Sequence, residues 1–149
     1  MQIVLRPALI QDFDFCRTLY FAGMEEVIRE LNLDRDAQAI GFRKQWSFEE
    51  ARITTVDGGD IGWMQSTLKD GAIFLGQLFI DSGFQRRGIG TEVIGRLIEE
   101  AGDLPVTLSV AKINPAVRLY ERFGFRITHE DGRKFHMRRE PGALTPLIS

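Results

Sequence analysis

The chain has 149 residues, 44% of them apolar and 27% charged, with 19 basic against 21 acidic side chains and a net charge of −2. Such a chain suits one globular domain with its own core, and it carries no bulk field that would call for nucleic acid or an anionic membrane. A single cysteine, Cys16, excludes an internal disulfide framework, and no run is long and apolar enough to span a bilayer.

The first residues, MQIVLRPA, have neither a basic leader nor a long apolar stretch, so a cytoplasmic protein is expected. Gln2 to Leu5 reads as a short strand stopped by Arg6-Pro7. From Ile10 to Leu31 the apolar spacing turns helical, with Cys16 as a small buried residue and Gly23 as a break between two helices. Asp36 to Phe48 fits a helix or a loop. A meander follows: strands over Ala51–Val56, Ile61–Leu68 and Ala72–Ile80, joined by Asp57-Gly58-Gly59-Asp60 and Asp70-Gly71. Ile89, Val93, Ile94, Leu97, Ile98 and Ala101 form one helical stripe, which Gly102 ends. Val106–Val110 is a strand. Asn114-Pro115 opens a helix that carries Ala116, Leu119, Tyr120 and Phe123 and stops at Gly124. Phe125–His129 and Arg133–Met137 form a last hairpin around Asp131-Gly132. These elements are expected to make a single domain over 1–140, with a loose tail over 141–149. Their order is that of a mixed α/β (α+β) layer fold, not a regular βαβ alternation.

The stretch Gln85-Arg86-Arg87-Gly88-Ile89-Gly90-Thr91 stands where a strand hands over to a helix. A helix start has unpaired N–H groups and partial positive charge, and glycines let a ligand come close. Two arginines add groups suited to phosphate oxygens. The turn therefore reads as an anion cradle. It is not a P-loop, because no lysine follows Gly90. It is not a dinucleotide fingerprint, because Val93 stands where a third glycine is needed.

Leu78-Phe79-Ile80-Asp81 followed by Gln85-Arg86-Arg87-Gly88-Ile89-Gly90 resembles the acyl-CoA-binding motif of the GNAT superfamily of N-acetyltransferases. Asn114-Pro115-Ala116-Val117-Arg118-Leu119-Tyr120-Glu121-Arg122-Phe123-Gly124-Phe125 resembles that family's second signature, and the element order over 1 to about 139 agrees. The resemblance implies a central, mostly antiparallel mixed sheet of about seven strands. Helices would lie on both faces, and the sheet would splay between the fourth and fifth strands.

It also implies acetyl-CoA as co-substrate, without a metal. Backbone amides of Arg87 to Thr91 would hold the pyrophosphate, and pantetheine would lie between the splayed strands. An amide near Phe79 or Ile80 would polarise the thioester, an oxyanion-hole role. Asn114 would touch the pantetheine arm or merely cap its helix. Tyr120 would be the general acid that protonates the departing thiolate, a thiol of pKa about 8.5 facing a phenol of about 10. Many relatives carry a glutamate base on the strand before the glycine turn, where Gln77 stands here. Water, Glu25, Glu26 or His136 could replace it, with His129 a weaker choice. Trp46 and Trp63 read as core or pocket wall, and Arg138-Arg139 as a solvated strand end. The histidines and cysteine show no metal-ligand spacing, and no Ser-His-Asp set stands out.

The acceptor would be a small-molecule or peptide amine, selected by the segments Phe21–Trp46 and His129–His136; acidic residues such as Glu30 and Asp34 could attract a cation. Nucleic acid and membrane are not expected as partners, and a homodimer is allowed by analogy. A non-catalytic CoA-binding module is the alternative, and a dinucleotide oxidoreductase a distant third.

Overall fold

The computed structural model describes residues 1–143; most of the expected tail, 144–149, lies outside the described residues. Strand β1 is Ile3–Pro7. After a short 3-10 turn at Ile10–Asp12 come helices α1 (Phe13–Glu30) and α2 (Arg35–Gln45). The meander is β2 (Ala51–Val56), β3 (Gly59–Lys69) and β4 (Ala72–Ile80). Helix α3 (Ile89–Ala101), β5 (Val106–Ala111), α4 (Ala116–Arg122), β6 (Arg126–Asp131) and β7 (Lys134–Arg139) complete the described residues.

The seven strands form one mixed sheet in the order β1-β2-β3-β4-β5-β7-β6. Its parallel pair is β4 with β5, and that ladder is short: Ile73, Phe74 and Leu75 face Val106, Thr107 and Leu108, and the register goes no further. This is the expected splay between the fourth and fifth strands. By internal packing the chain forms two compact units: Met1–Gln65 with Gln77–Gln85, and Ser66–Gly76 with Arg86 onward.

In the first unit, α1 is unbroken, against the expected break at Gly23. Gly23 is needed there for closeness: a Cβ at this position would stand 2.5 Å from Phe79 Cδ1. The glycine marks a tight approach of helix to strand, which local sequence cannot distinguish from a helix end. The unclear stretch after α1 is a helix, α2, capped by Asp34, whose side chain accepts from Asp36 N. Strand β1 runs through Pro7 instead of stopping before it. It is an edge strand, where a missing N–H is tolerated. Both hairpin turns have positive φ at their two central residues: Asp57 (50°) and Gly58 (88°), then Asp70 (53°) and Gly71 (77°).

The first unit's core is aromatic. Trp63 is fully buried, with its ring centroid 5.8 Å from Phe42 and 5.6 Å from Phe79; Tyr20 lies 4.8 Å from Phe42. Trp46 sits edge-on against Phe13 at 5.3 Å. Arg6 clamps this unit's start. Its guanidinium donates to both Asp12 oxygens at 3.0 and 3.1 Å and to Asp60 Oδ2 at 3.0 Å.

The second unit's core is largely aliphatic. Ile89, Val93, Ile94 and Leu97 of α3 are buried, as are Val106, Leu108, Val110, Phe123, Phe125 and Met137. Arg139 corrects the reading of a solvated strand end. It is 5% exposed, its Nε donates to the Phe123 carbonyl at 2.7 Å, and its Nη2 donates to the Ala143 carbonyl at 2.5 Å. The carbonyls that end α4 needed a donor, and β7 supplies one. Arg138 is the half-buried, more exposed member of the pair and bonds Glu140 at 2.5 Å.

Candidate active site

The glycine turn has the geometry of an open helix start. Helix α3 begins at Ile89, behind Gly88, which is left-handed at φ 79°. Arg86 is also left-handed, at φ 64°. Among the described residues, no side chain caps this helix. Glu92 N is the first amide to bond back, to the Gly88 carbonyl at 3.0 Å. The amides of Ile89, Gly90 and Thr91 precede it and have no carbonyl behind them in the helix. Among the described residues, a Cβ built on Gly88 meets nothing within 4 Å, so the space beside that Cα is open. Ile89 is buried and anchors the turn, whereas Arg86, Arg87 and Gly88 are exposed. A Cβ on Gly90 would stand 3.6 Å from Leu119 Cδ2, so α3 starts close beside α4.

Tyr120 neighbours Leu119 on α4 and is 7% exposed, with its ring edge-on to Phe125 at 5.6 Å. Burial pushes its phenol up to about 12. The hydroxyl is therefore neutral across the physiological range and available as a donor. Asn114 stands just before Pro115, the N-cap of α4, and holds the helix start: its Oδ1 accepts from Ala116 N at 2.9 Å, and its carbonyl accepts from Val117 N at 3.2 Å.

The other expected site residues belong to the first unit. The Phe79 side chain is built into the aromatic core, beside Tyr20 and Trp63 at 5.6 Å each. A Cβ on Gly62 would stand 2.6 Å from the Phe79 carbonyl, so β3 and β4 pass closely there. Gln85 turns its amide back along the chain and donates from Nε2 to the Ile80 carbonyl at 3.0 Å. Gln77 is half-buried on β4, and Glu25 and Glu26 are exposed on α1.

One constellation escaped the sequence reading. Ser109 Oγ lies 2.8 Å from His136 Nδ1, and His136 Nε2 lies 3.0 Å from Asp131 Oδ2. The His129 ring stacks on His136 at 4.2 Å between centroids, 7° from parallel. Ser109 and His136 are cross-strand partners on β5 and β7. Their separation of 27 residues left no local signal, and only the register of the pair would have revealed it.

Comparison with known proteins agrees with the two motifs. The Acetyltransferase (GNAT) domain profile matches residues 46–127, more than half of the chain. A spermine/spermidine N(1)-acetyltransferase of Bacillus subtilis is 36% identical over 67 residues, which cover 42% of this chain and 44% of that protein. The human cysteine-rich protein 2-binding protein is 37% identical over 65 residues, 44% of this chain but 8% of that protein. The match thus spans less than half the length of either relative. Among solved structures, PaiA N-acetyltransferase from Thermoplasma acidophilum, in complex with coenzyme A, superposes with a TM-score of 0.73 at 17% identity, covering 94% of this chain and 99% of that one. Ard1 from Thermoplasma volcanium gives 0.68 at 20% identity, covering 95% and 99%. These two share the fold. With its profile match, its strand order and its parallel pair at β4 and β5, the chain belongs to the GNAT family of acetyltransferases.

Proposed function

We propose that this chain is an acetyl-CoA-dependent N-acetyltransferase that acts by direct attack of a primary amine on the thioester. The observation that carries the reading is the start of α3 behind left-handed Gly88, with no side-chain cap among the described residues and open space beside the Gly88 Cα. Amides from Arg87 to Thr91 would hold the pyrophosphate there, supported by the helix dipole. Arg86 would add charge, and Ile89 and Gly90 would keep the turn seated against the core and α4. Beyond the short β4–β5 ladder, exposed backbone would take up the pantetheine arm. An amide at Phe79 or Ile80 would polarise the carbonyl, with Gln85 bracing the Ile80 peptide through its own bond to that carbonyl.

Tyr120 would meet the departing sulfur. With its phenol up at about 12 and a thiol near 8.5, it serves best as a hydrogen-bond donor that stabilises the thiolate as it forms. Asn114 holds the start of α4, and so the position of Tyr120. The acceptor would be a small-molecule or peptide amine; the Bacillus relative's name puts polyamines first among those to try. A cytoplasmic setting, which free buried Cys16 suits, and a homodimer belong to the same proposal.

Calorimetric titration with CoA tests the cradle. The parent should bind, and Gly88→Glu should bind at least about 100-fold more weakly, because it strains a left-handed residue and places a carboxylate at the phosphate. Circular dichroism would show that the variant is folded. Equal binding by both proteins, or none by the parent, would remove the cradle. Thiol release with an amine panel separates an enzyme from a CoA-binding module without turnover.

A further inference from the structure

We propose that Ser109, His136 and Asp131 form the proton relay that takes the acceptor's ammonium proton, with Ser109 Oγ touching the amine and His136 as the base. The proposal rests on the acetyltransferase reading above and supplies the base that Gln77 cannot be.

The direction of the relay follows from its chemistry. Asp131 as a carboxylate can only accept, so His136 Nε2 carries its proton toward Oδ2 at 3.0 Å. Neutral His136 then has a lone pair on Nδ1, and the donor 2.8 Å away is the Ser109 hydroxyl. Each group is held in place. Asp131 Oδ1 accepts from the amides of Arg133 and Lys134 at 3.3 and 3.1 Å, which fixes the carboxylate to the β6–β7 turn. His129 covers one face of the His136 ring. The Thr128 hydroxyl donates to the His136 carbonyl at 3.1 Å.

The position also fits. Ser109 is the first residue of β5 past Leu108, where the ladder with β4 ends. Along β5, Val106, Leu108 and Val110 are buried, while Thr107, Ser109 and Ala111 face the other way. Ser109 therefore stands where β5 becomes free of β4, on the face away from the aliphatic core. The His136 side chain is 28% exposed, enough to exchange its proton with solvent after each turnover.

The step balances. The substrate ammonium gives a proton to Ser109 Oγ as the serine's own proton passes to His136 Nδ1. The amine becomes neutral, the serine is restored, and the imidazolium faces the Asp131 carboxylate. The amine nitrogen then bonds the acetyl carbon, the carbon–sulfur bond breaks, and the nitrogen's surplus proton leaves to the thiolate.

The test joins kinetics to spectroscopy. From β6, Asp131 bonds the ring and His129 stacks on it; Lys134 and Arg138 stand two positions away on either side along β7, and Thr107, Ser109 and Ala111 of β5 add no charge. With the amine on which the parent is most active, His136→Gln should lower kcat/KM by at least about 100-fold. It should also flatten the acid limb of the pH profile and leave CoA affinity within about twofold. Ser109→Ala should lose at least about 10-fold, and Ser109→Thr should recover part of it. Nitrogen-15 spectra of the parent should show His136 with its proton on Nε2, and Asp131→Asn should weaken that tautomer preference. Protonation on Nδ1, or full turnover by His136→Gln, overturns the relay alone. A parent that binds CoA but acetylates no amine overturns the acetyltransferase reading, and the relay with it.

Discussion

The two compact units solve different physical problems. The first is held by large aromatic rings meeting at 4.8 to 5.8 Å around Trp63, with α1 and α2 laid over them. The second packs branched aliphatic side chains of α3 and β5 and keeps a polar face on β5 and β7. Aromatic pairs bury much area with few rotatable bonds, so they place long helices firmly. An alternating strand offers something else: one face for the core and the other for polar groups. The open glycine turn, Tyr120 and the Ser109–His136–Asp131 chain all fall in the second unit. Phe79, Ile80 and Gln85, by contrast, belong to the first unit.

That contrast can be broken experimentally. Trp63→Ala should cost about 4 kcal/mol in urea unfolding, since it empties the centre of the aromatic cluster. A loss below about 2 kcal/mol would mean that the cluster is not what holds the first unit. In the second unit, Tyr120→Phe should leave CoA affinity nearly unchanged and slow turnover about 30-fold, or ~2 kcal/mol at the barrier. An unchanged rate with chemistry limiting would take Tyr120 out of the mechanism.

Asp12→Asn sharpens the comparison at the first unit's polar edge. The hydrogen bond from Arg6 holds the Asp12 carboxyl below its ordinary value, overcoming the opposing effect of burial. Its folded pKa is depressed, so its stabilisation is fully present above the unfolded value of about 3.9 and is lost as pH falls through the folded one. At pH 7 the variant should be less stable by about 1.5 kcal/mol, and the gap should close in acid below about pH 4. A gap independent of pH would refute the linkage. The smallest effect has the opposite sign. Thr54 is fully buried, and its hydroxyl has no hydrogen-bond partner among the described residues. Thr54→Val should therefore raise stability by about 0.5 kcal/mol, and a loss would show that the hydroxyl is satisfied in solution.

Most strands and helices were legible because periodicity and turn chemistry are local. Asp57-Gly58 and Asp70-Gly71 announce left-handed turn residues, and Asn114 announces a cap. The misreadings have one origin. Gly23, Pro7 and Arg139 take their meaning from a distant neighbour: Phe79 for the glycine, the sheet edge for the proline, and the Phe123 carbonyl for the arginine. The site divides in the same way. The glycine turn is a contiguous stretch and can be read directly, whereas the Ser109 pair exists only through strand register.

From the residues alone came the element order, the glycine-rich helix start and the two signatures that mark the family. Each depends on interactions within about a dozen positions along the chain. Folding in three dimensions decided which glycine serves closeness and which serves a turn, which arginine is buried, how far β4 and β5 stay paired, and that a serine, a histidine and an aspartate stand in line. Those outcomes depend on which side chain faces which across the sheet, and a one-residue slip in register would reverse every one of those facings.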